Sequence, residues 1–362
     1  MAHRRHFAIL DGLRGIGALV IVVFHIAIPF GLGSIVLHTA PAVEYFFCLS
    51  GFVIGYAYEQ KLLGTMTFGS FAVARLMRLY PLIVLGSLLG LAVYIIKAHM
   101  VGVSPFSVTA MTAFVLELLM IPNPLQVGLD WTENQPFNPP AWTLFFEFVA
   151  YFLYAALVRY LTKSVLVTLM AVGAAIVVAQ SYVLGGVEGG NYWSTLPFGF
   201  GRMFFPFLCG LFLYRRWAEN PTYGRASEFL GPALFAIFIF LRFYPMPAPW
   251  DWIYEALIVL IAYPVMINLG ASGEPGPTAT SVYLFMGRLS FPLYITHYPL
   301  VRVFSNYARS RNLADGQLWL LMAIELIFII VFAYAVMKVF DQPVRAWLGQ
   351  RWRDRKRSAE AV

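Results

Sequence analysis

The first long apolar stretch, Phe7 to Phe30 (FAILDGLRGIGALVIVVFHIAIPF), constrains this chain more than any other segment. It reaches the roughly 20 apolar residues that a helix needs to cross a bilayer, yet it carries Asp11, Arg14 and His25. A helix turns about 100° per residue, so Asp11, Arg14, Ala18, Val22 and His25 fall within one narrow stripe, with Arg14 and His25 roughly 16 Å apart along the axis. An ionisable group inside a membrane costs roughly 2.5–3.5 kcal/mol on insertion scales, and such groups are kept for a buried partner or for chemistry. The stretch predicts a membrane helix with a polar seam down one face.

Composition extends that reading to the whole chain. Of 362 residues, 60% are hydrophobic and only 12% charged, against about 25% charged in soluble domains. The fold class expected is an all-α, polytopic membrane bundle of about ten helices. The segments are about 8–30, 42–60, 79–98, 141–160, 164–184, 197–216, 228–245, 250–269, 282–306 and 317–338. A further apolar stretch, 106–125, contains Glu117 and ends in two prolines. Counting it as a span would turn Arg159, Lys163, Arg215 and Arg216 outward, against the positive-inside rule. It is therefore read as a re-entrant or interfacial helix, followed by a turn-rich outer loop from Asp130 to Pro140. Both termini are expected in the cytoplasm, with Arg4 and Arg5 at one end and a basic tail over 346–362 at the other. Residues 1–345 are read as a single membrane domain, in a bacterial inner membrane. The start, HRRH and then an apolar run, superficially resembles a signal peptide, but it lacks a small-x-small cleavage site and is read as a retained span. The net charge of +7 lies in loops and tail and does not point to nucleic acid. Cys48 and Cys209 sit in apolar runs and suggest neither a disulfide framework nor a metal site.

Candidate chemistry concentrates in five blocks. His25 is a candidate general base, since an imidazole titrates near neutral pH; the alternative is a histidine that bonds helices together. Arg14 either pairs with Asp11 or binds an anion. The second span begins with His38 and Glu44 and contains Ser50-Gly51, where the serine is a nucleophile or, more commonly for such pairs, part of a close helix contact. Arg75 and Arg78, three residues apart, share a helical face at the cytoplasmic surface; they anchor the topology or, with Arg14, bind phosphates. Glu147 lies on the outer half of its span with Tyr151 on the same face, at a depth that allows a pair with His25. His297 is a second intramembrane histidine, between Pro292 and Pro299.

These blocks, LDGLRGIGALVIVVFH, EYFFCLSGFVIGY, RLMRLYPL, NPPAWTLFFEFVAYFLY and LSFPLYITHYPL, together resemble the acyltransferase 3 family of membrane acyltransferases. The resemblance implies an O-acyltransferase that takes an acyl group, by default acetyl, from cytoplasmic acyl-CoA to a hydroxyl of a saccharide or glycan. Acyl-CoA would be a co-substrate, with no resident cofactor or metal. The resemblance carries a catalytic role to His25 and important roles to Arg14, Arg75, Arg78 and Glu147. Within that scheme the CoA phosphates stay near the three arginines and the pantetheine arm reaches His25. Glu147 supports His25, while His297, Ser50 and Tyr151 face the substrate and Asp11 and Glu44 give structural support. Glu44 stands where the family often has Asp, and Asp341-Gln342-Pro343 replaces a frequent Glu-x-Pro. The soluble hydrolase-like domain fused to some members is not expected here, and a step needing it would call for a separate envelope-side partner protein. The alternative is a proton-coupled transporter or flippase of a lipid-linked saccharide, with His25, Glu147 and His297 as its relay.

Overall fold

In a computed structural model the chain is described over residues 6–32, 38, 40–129, 131–221, 224–225, 229–247, 249–311, 313 and 315–360. Arg4 and Arg5 lie outside the described residues. The helices are α1 (Ala8–Ala27), α2 (Ala42–Leu63), α3 (Phe68–Met100), α4 (Val108–Leu118), α5 (Trp142–Leu157), α6 (Lys163–Leu184), α7 (Leu196–Glu219), α8 (Leu230–Phe243), α9 (Asp251–Leu257), α10 (Tyr263–Ser272), α11 (Pro277–Arg311), α12 (Asp315–Val336) and α13 (Gln342–Glu360). Single π turns join α9 to α10 (Ile258–Ala262) and α12 to α13 (Met337–Asp341). Each segment expected to span is helical. Among the described residues, seven helical stretches are long and apolar enough to cross a membrane. α8 falls short in length, and α2 and α11 carry more polar residues. The 106–125 stretch folds as α4, whose 11 residues reach only about 16 Å at 1.5 Å per residue, too little to cross.

Local chemistry sets the helix ends. Thr67, Ser107 and Thr162 cap α3, α4 and α6, each side chain accepting from the backbone N–H three residues on, which satisfies a donor the helix cannot use itself. Gly185 ends α6 in the left-handed region at φ 76°, where a glycine has no Cβ to clash.

The chain divides into two compact units. The first comprises residues up to Met66 and Trp142–Ser290; the second comprises Thr67–Ala141 and Phe291 onward. Ile9, Leu10, Leu13, Tyr45, Phe52, Phe146, Phe238 and Tyr263 are fully buried in the core of the first unit. Its tightest contact joins α2 and α7, which run parallel. An added Cβ on Gly51 would lie 2.1 Å from the Phe207 carbonyl oxygen, and one on Gly210 would lie 1.9 Å from that of Cys48. Small residues here let two backbones touch, the usual device for packing helices in lipid. Ion pairs close both ends of the contact: Arg202 Nε donates to Glu44 at 2.5 Å, and Arg215 Nε to Glu59 at 3.0 Å. α5 lies parallel to α2, tied to it at Ser50–Glu147 and, further along, by Tyr154 donating to Glu59 at 2.8 Å.

In the second unit, Tyr94, Ala110, Ala113, Phe114, Val127, Trp131 and Phe137 form a core cluster. The turn-rich segment expected as an outer loop is mostly built into this unit: Asn134 to Ala141 are buried. Its backbone and one of its side chains find partners inside the unit. The Phe137 N–H donates to the Glu117 carboxylate at 2.8 Å, and burial pushes that carboxyl up to about 7. Asn138 meets a specific need. Pro299 has no N–H, so the carbonyl four residues earlier, on Ile295, loses its helical donor. The Asn138 amide donates to that carbonyl at 2.9 Å. Asn138→Ala should therefore destabilise the protein by about 1–3 kcal/mol, the cost of a buried polar group left unpaired. In a Pro299→Ala background, where the backbone again supplies the donor, most of that loss should vanish. Thermal denaturation of the four proteins of the cycle in detergent checks this, and additive losses would show that Asn138 acts elsewhere.

Candidate active site

α1 is continuous over Ala8–Ala27, so Asp11, Arg14, Ala18, Val22 and His25 fall on one side of it. Arg14 is held on three sides: Asp11 at 2.8 Å, the Ser290 hydroxyl at 3.0 Å from Nε, and the Gly287 carbonyl at 2.6 Å. The glycines of the DGLRG block make this possible. A Cβ on Gly15 would lie 2.6 Å from Met286, and one on Gly287 would lie 2.6 Å from Asp11, so α1 and the first half of α11 meet at backbone distance. The ion-pair reading of Arg14 holds, and the guanidinium is fixed rather than mobile. Further along α1, Ala18 and Val22 are buried, and His25 is half-buried, its ring 5.5 Å from that of Phe24.

Ser50, Glu147 and Tyr151 come together from α2 and α5. The Ser50 hydroxyl donates to Glu147 Oε1 at 2.8 Å, and the Tyr151 hydroxyl donates to the same oxygen. Ser50 and Tyr151 lie 2.7 Å from each other. The side chains the structure sets on Glu147 are these two hydroxyls rather than His25, because i to i+4 spacing on α5 and the close α2 packing deliver them first. Both hydrogen bonds fall on Oε1. Ser50 thus does more than pack; Gly51 beside it makes the backbone contact.

Other expected residues take different places. Glu44 is fully buried against Arg202, which also donates to the carbonyls of Gly189 at 2.7 Å and Ala40 at 2.9 Å. His38 Nδ1 lies 2.9 Å from Glu255, whose other oxygen accepts the Val187 N–H at 2.6 Å. In the second unit Arg75 is buried while Arg78 is exposed, so the pair does not form one uniform surface patch; three residues advance a helix by about 300°, enough to turn one inward. Arg78 lies near Asp341, which binds Arg345 at 2.5 Å. His297 is completely buried, with Nδ1 2.6 Å from the Tyr294 carbonyl; that bond sets the ring's tautomer. The helix around it stays continuous through Pro292 and Pro299.

Sequence reasoning missed several charged residues. Arg202 lies inside the expected 197–216 span and could have been flagged by the rule that singled out Arg14. Glu59 with Arg215, and Glu133 with Arg302, are pairs more than 150 residues apart. Arg302 also stacks 3.6 Å above the Trp131 ring. Glu325 stands apart: it is fully buried in α12, and neither carboxylate oxygen has a hydrogen-bond partner among the described residues. No group of three or more metal-ligating side chains forms among the described residues.

A polytopic helical chain with a cation fixed at one end of a membrane helix and a histidine further along it is the setting in which comparison with known proteins becomes informative. The model of a family described as an acyltransferase domain matches residues 7–338. The chain belongs to this family, acyltransferase 3, and is a multi-pass membrane O-acyltransferase. It is 37% identical over 187 residues to the protein named "Protein 2 in picA locus" of Rhizobium radiobacter, covering 48% of this chain and 94% of that one. Staphylococcus aureus proteins of strains COL and N315, each named as a "Putative O-acetyltransferase", are 22% identical over 379 residues, covering 94% of this chain. The chain spans 58% of the length of these staphylococcal relatives. No solved structure matches it.

Glu325 yields a prediction independent of activity. An unpaired buried carboxyl costs roughly 1–3 kcal/mol, so Glu325→Leu should raise the thermal denaturation midpoint in detergent. A lowered midpoint would show that the carboxylate makes a stabilising interaction after all.

Proposed function

We propose that this enzyme transfers an acyl group, acetyl by default, from cytoplasmic acyl-CoA to a hydroxyl of a saccharide or glycan, with His25 as general base. The observation that carries the reading is the α1 seam, in which a fixed Arg14 and a half-buried His25 share one face roughly 16 Å apart. CoA phosphates are costly to bury and stay at the cytoplasmic mouth, while the mostly uncharged pantetheine arm follows the seam. Arg14 contributes positive charge there. Arg78, exposed on the second unit, and Arg75 beside it in sequence contribute to donor binding.

His25 takes the proton from the acceptor hydroxyl as its oxygen attacks the thioester carbonyl. The C–S bond then breaks, and the departing CoA thiolate receives a proton. Positioned base catalysis of this kind contributes about 10²–10⁴-fold. Glu147 supplies the negative charge that favours the protonated imidazole, as a carboxylate does in hydrolase triads. Ser50 and Tyr151 both bond Oε1, which leaves Oε2 as the oxygen for this role. His297 is assigned a part in positioning the acceptor. The bundle of about ten spans sits with both termini inside, in a bacterial cytoplasmic membrane. The staphylococcal relatives' name supports acetyl as the group transferred.

His25→Ala should lose at least about 100-fold in kcat for transfer from radiolabelled acetyl-CoA to a host glycan extract. Full activity in a folded, inserted His25→Ala protein would sink the mechanism. Tyr151→Phe and Ser50→Ala each remove one hydrogen bond to Glu147, worth about 1.5–3 kcal/mol for a charged acceptor, and should lower kcat more than they raise the donor KM. Arg78→Gln should raise the KM for acyl-CoA and leave kcat at saturating donor near wild type. An unchanged donor KM would remove Arg78 from donor binding.

A further inference from the structure

Where α6 begins and α7 ends, a cavity of about 330 Å³ opens among Lys163, Leu166, Phe212, Arg215, Arg216 and Glu219. None of these residues has a part in the acyl-transfer scheme. Three cations face one carboxylate. Their arrangement is graded: Arg215 is immobilised by the Glu59 carboxylate, 3.0 and 3.1 Å from its Nε, and by the Leu161 carbonyl. Lys163 meets Glu219 at 3.6 Å, with the two side chains 71% and 57% exposed. An ion pair so open to solvent holds weakly and is readily exchanged for another anion. Arg216 is exposed.

The lining is also amphipathic. Leu166 is buried and Phe212 half-buried beneath the charged groups. Beyond Lys163, α6 packs along Leu166, Gly173, Val177 and Ser181 and leaves Val165 and Val172 exposed on one side and Val167 and Val178 on another, on a 22-residue apolar helix. Exposed apolar sides of this kind suit lipid tails, which would put the cavity, at the charged start of the helix, where hydrocarbon gives way to headgroups. Its size is at the small end of ligand pockets, and basic pockets between membrane helices are suited to lipid phosphates.

We propose that this cavity is a binding site for the phosphate of an anionic phospholipid, whose glycerol and first methylenes rest on Leu166 and Phe212. The phosphodiester displaces Glu219 from Lys163 and is held between Lys163 and Arg216, with Arg215 as a fixed positive background. A soluble phosphate offers the same charge but nothing for the apolar floor, which is why the geometry points to a lipid.

The test uses the full chain purified in detergent, with phosphatidylglycerol and phosphatidylcholine as probes in native mass spectrometry. Wild type should retain phosphatidylglycerol in strong preference to phosphatidylcholine. The double variant Lys163→Gln/Arg216→Gln should lose that preference by roughly tenfold or more, at about fivefold per cation removed. A double variant with the same charge change in the tail, Arg351→Gln/Arg355→Gln, should keep it. Thermal midpoints of all three proteins show whether folding is intact, and the single variants Lys163→Gln and Arg216→Gln take over if the double variant unfolds. Equal retention of the two lipids by wild type, or equal losses in the cavity and tail variants, would overturn the proposal. Inorganic pyrophosphate is added in a second arm. Binding of pyrophosphate that depends on Lys163 and Arg216, without selective lipid retention, would assign the cavity to a soluble phosphate and overturn the lipid reading.

Discussion

The parallel contact between α2 and α7 is the constraint on which the first unit depends. Two glycines let the backbones touch at mid-length, and a carboxylate–arginine pair fastens each end. In hydrocarbon, apolar burial does little to bring helices together, so packing and polar contacts must do it. Breaking a buried pair by removing one partner costs about 3–5 kcal/mol, and here two such pairs fix both separation and register. The register matters because α2 also carries Ser50. A slip of one residue would rotate that hydroxyl by about 100°, away from Glu147.

Charge follows the same rule in both units. Arg14, Arg202 and Arg215 in the first and Arg302 in the second are each bound by a carboxylate and by at least one further polar group. Such cations are structural fasteners first. Glu147 differs from the carboxylates in these pairs: it accepts from two neutral hydroxyls, those of Ser50 and Tyr151, rather than from a cation.

Much of this was legible in the chain itself. Hydropathy places the helices, and i to i+3 and i+4 spacing gives the Asp11–Arg14 pair and the Glu147–Tyr151 contact, because those relations are local. Glu44–Arg202 and His38–Glu255 were not legible. Each joins residues more than 150 positions apart, and nothing in either half states its partner. Irregular backbone over 131–138 was legible, but its burial was not, for a physical reason. Proline and asparagine mark irregular backbone, but irregular backbone is exposed only when water is its cheapest partner; beside α3 and α4 most of it is buried, with the Phe137 N–H bonded to Glu117 and the Asn138 amide to the Ile295 carbonyl. Glu325 escaped notice since a single carboxyl in a long apolar run barely moves a hydropathy average.

The π turn between α12 and α13 inserts one extra residue into an otherwise regular helix. Each such insertion turns everything downstream by about 100° and lifts it by about 1.5 Å. The turn therefore acts as a phase shift between the apolar face of α12 and the basic face of α13. A chain lacking one residue over Met337–Asp341 would stay helical, yet it would point Arg345 and every tail arginine after it to a different compass bearing. The length of this short stretch, more than its chemistry, decides which way the tail's charge is aimed.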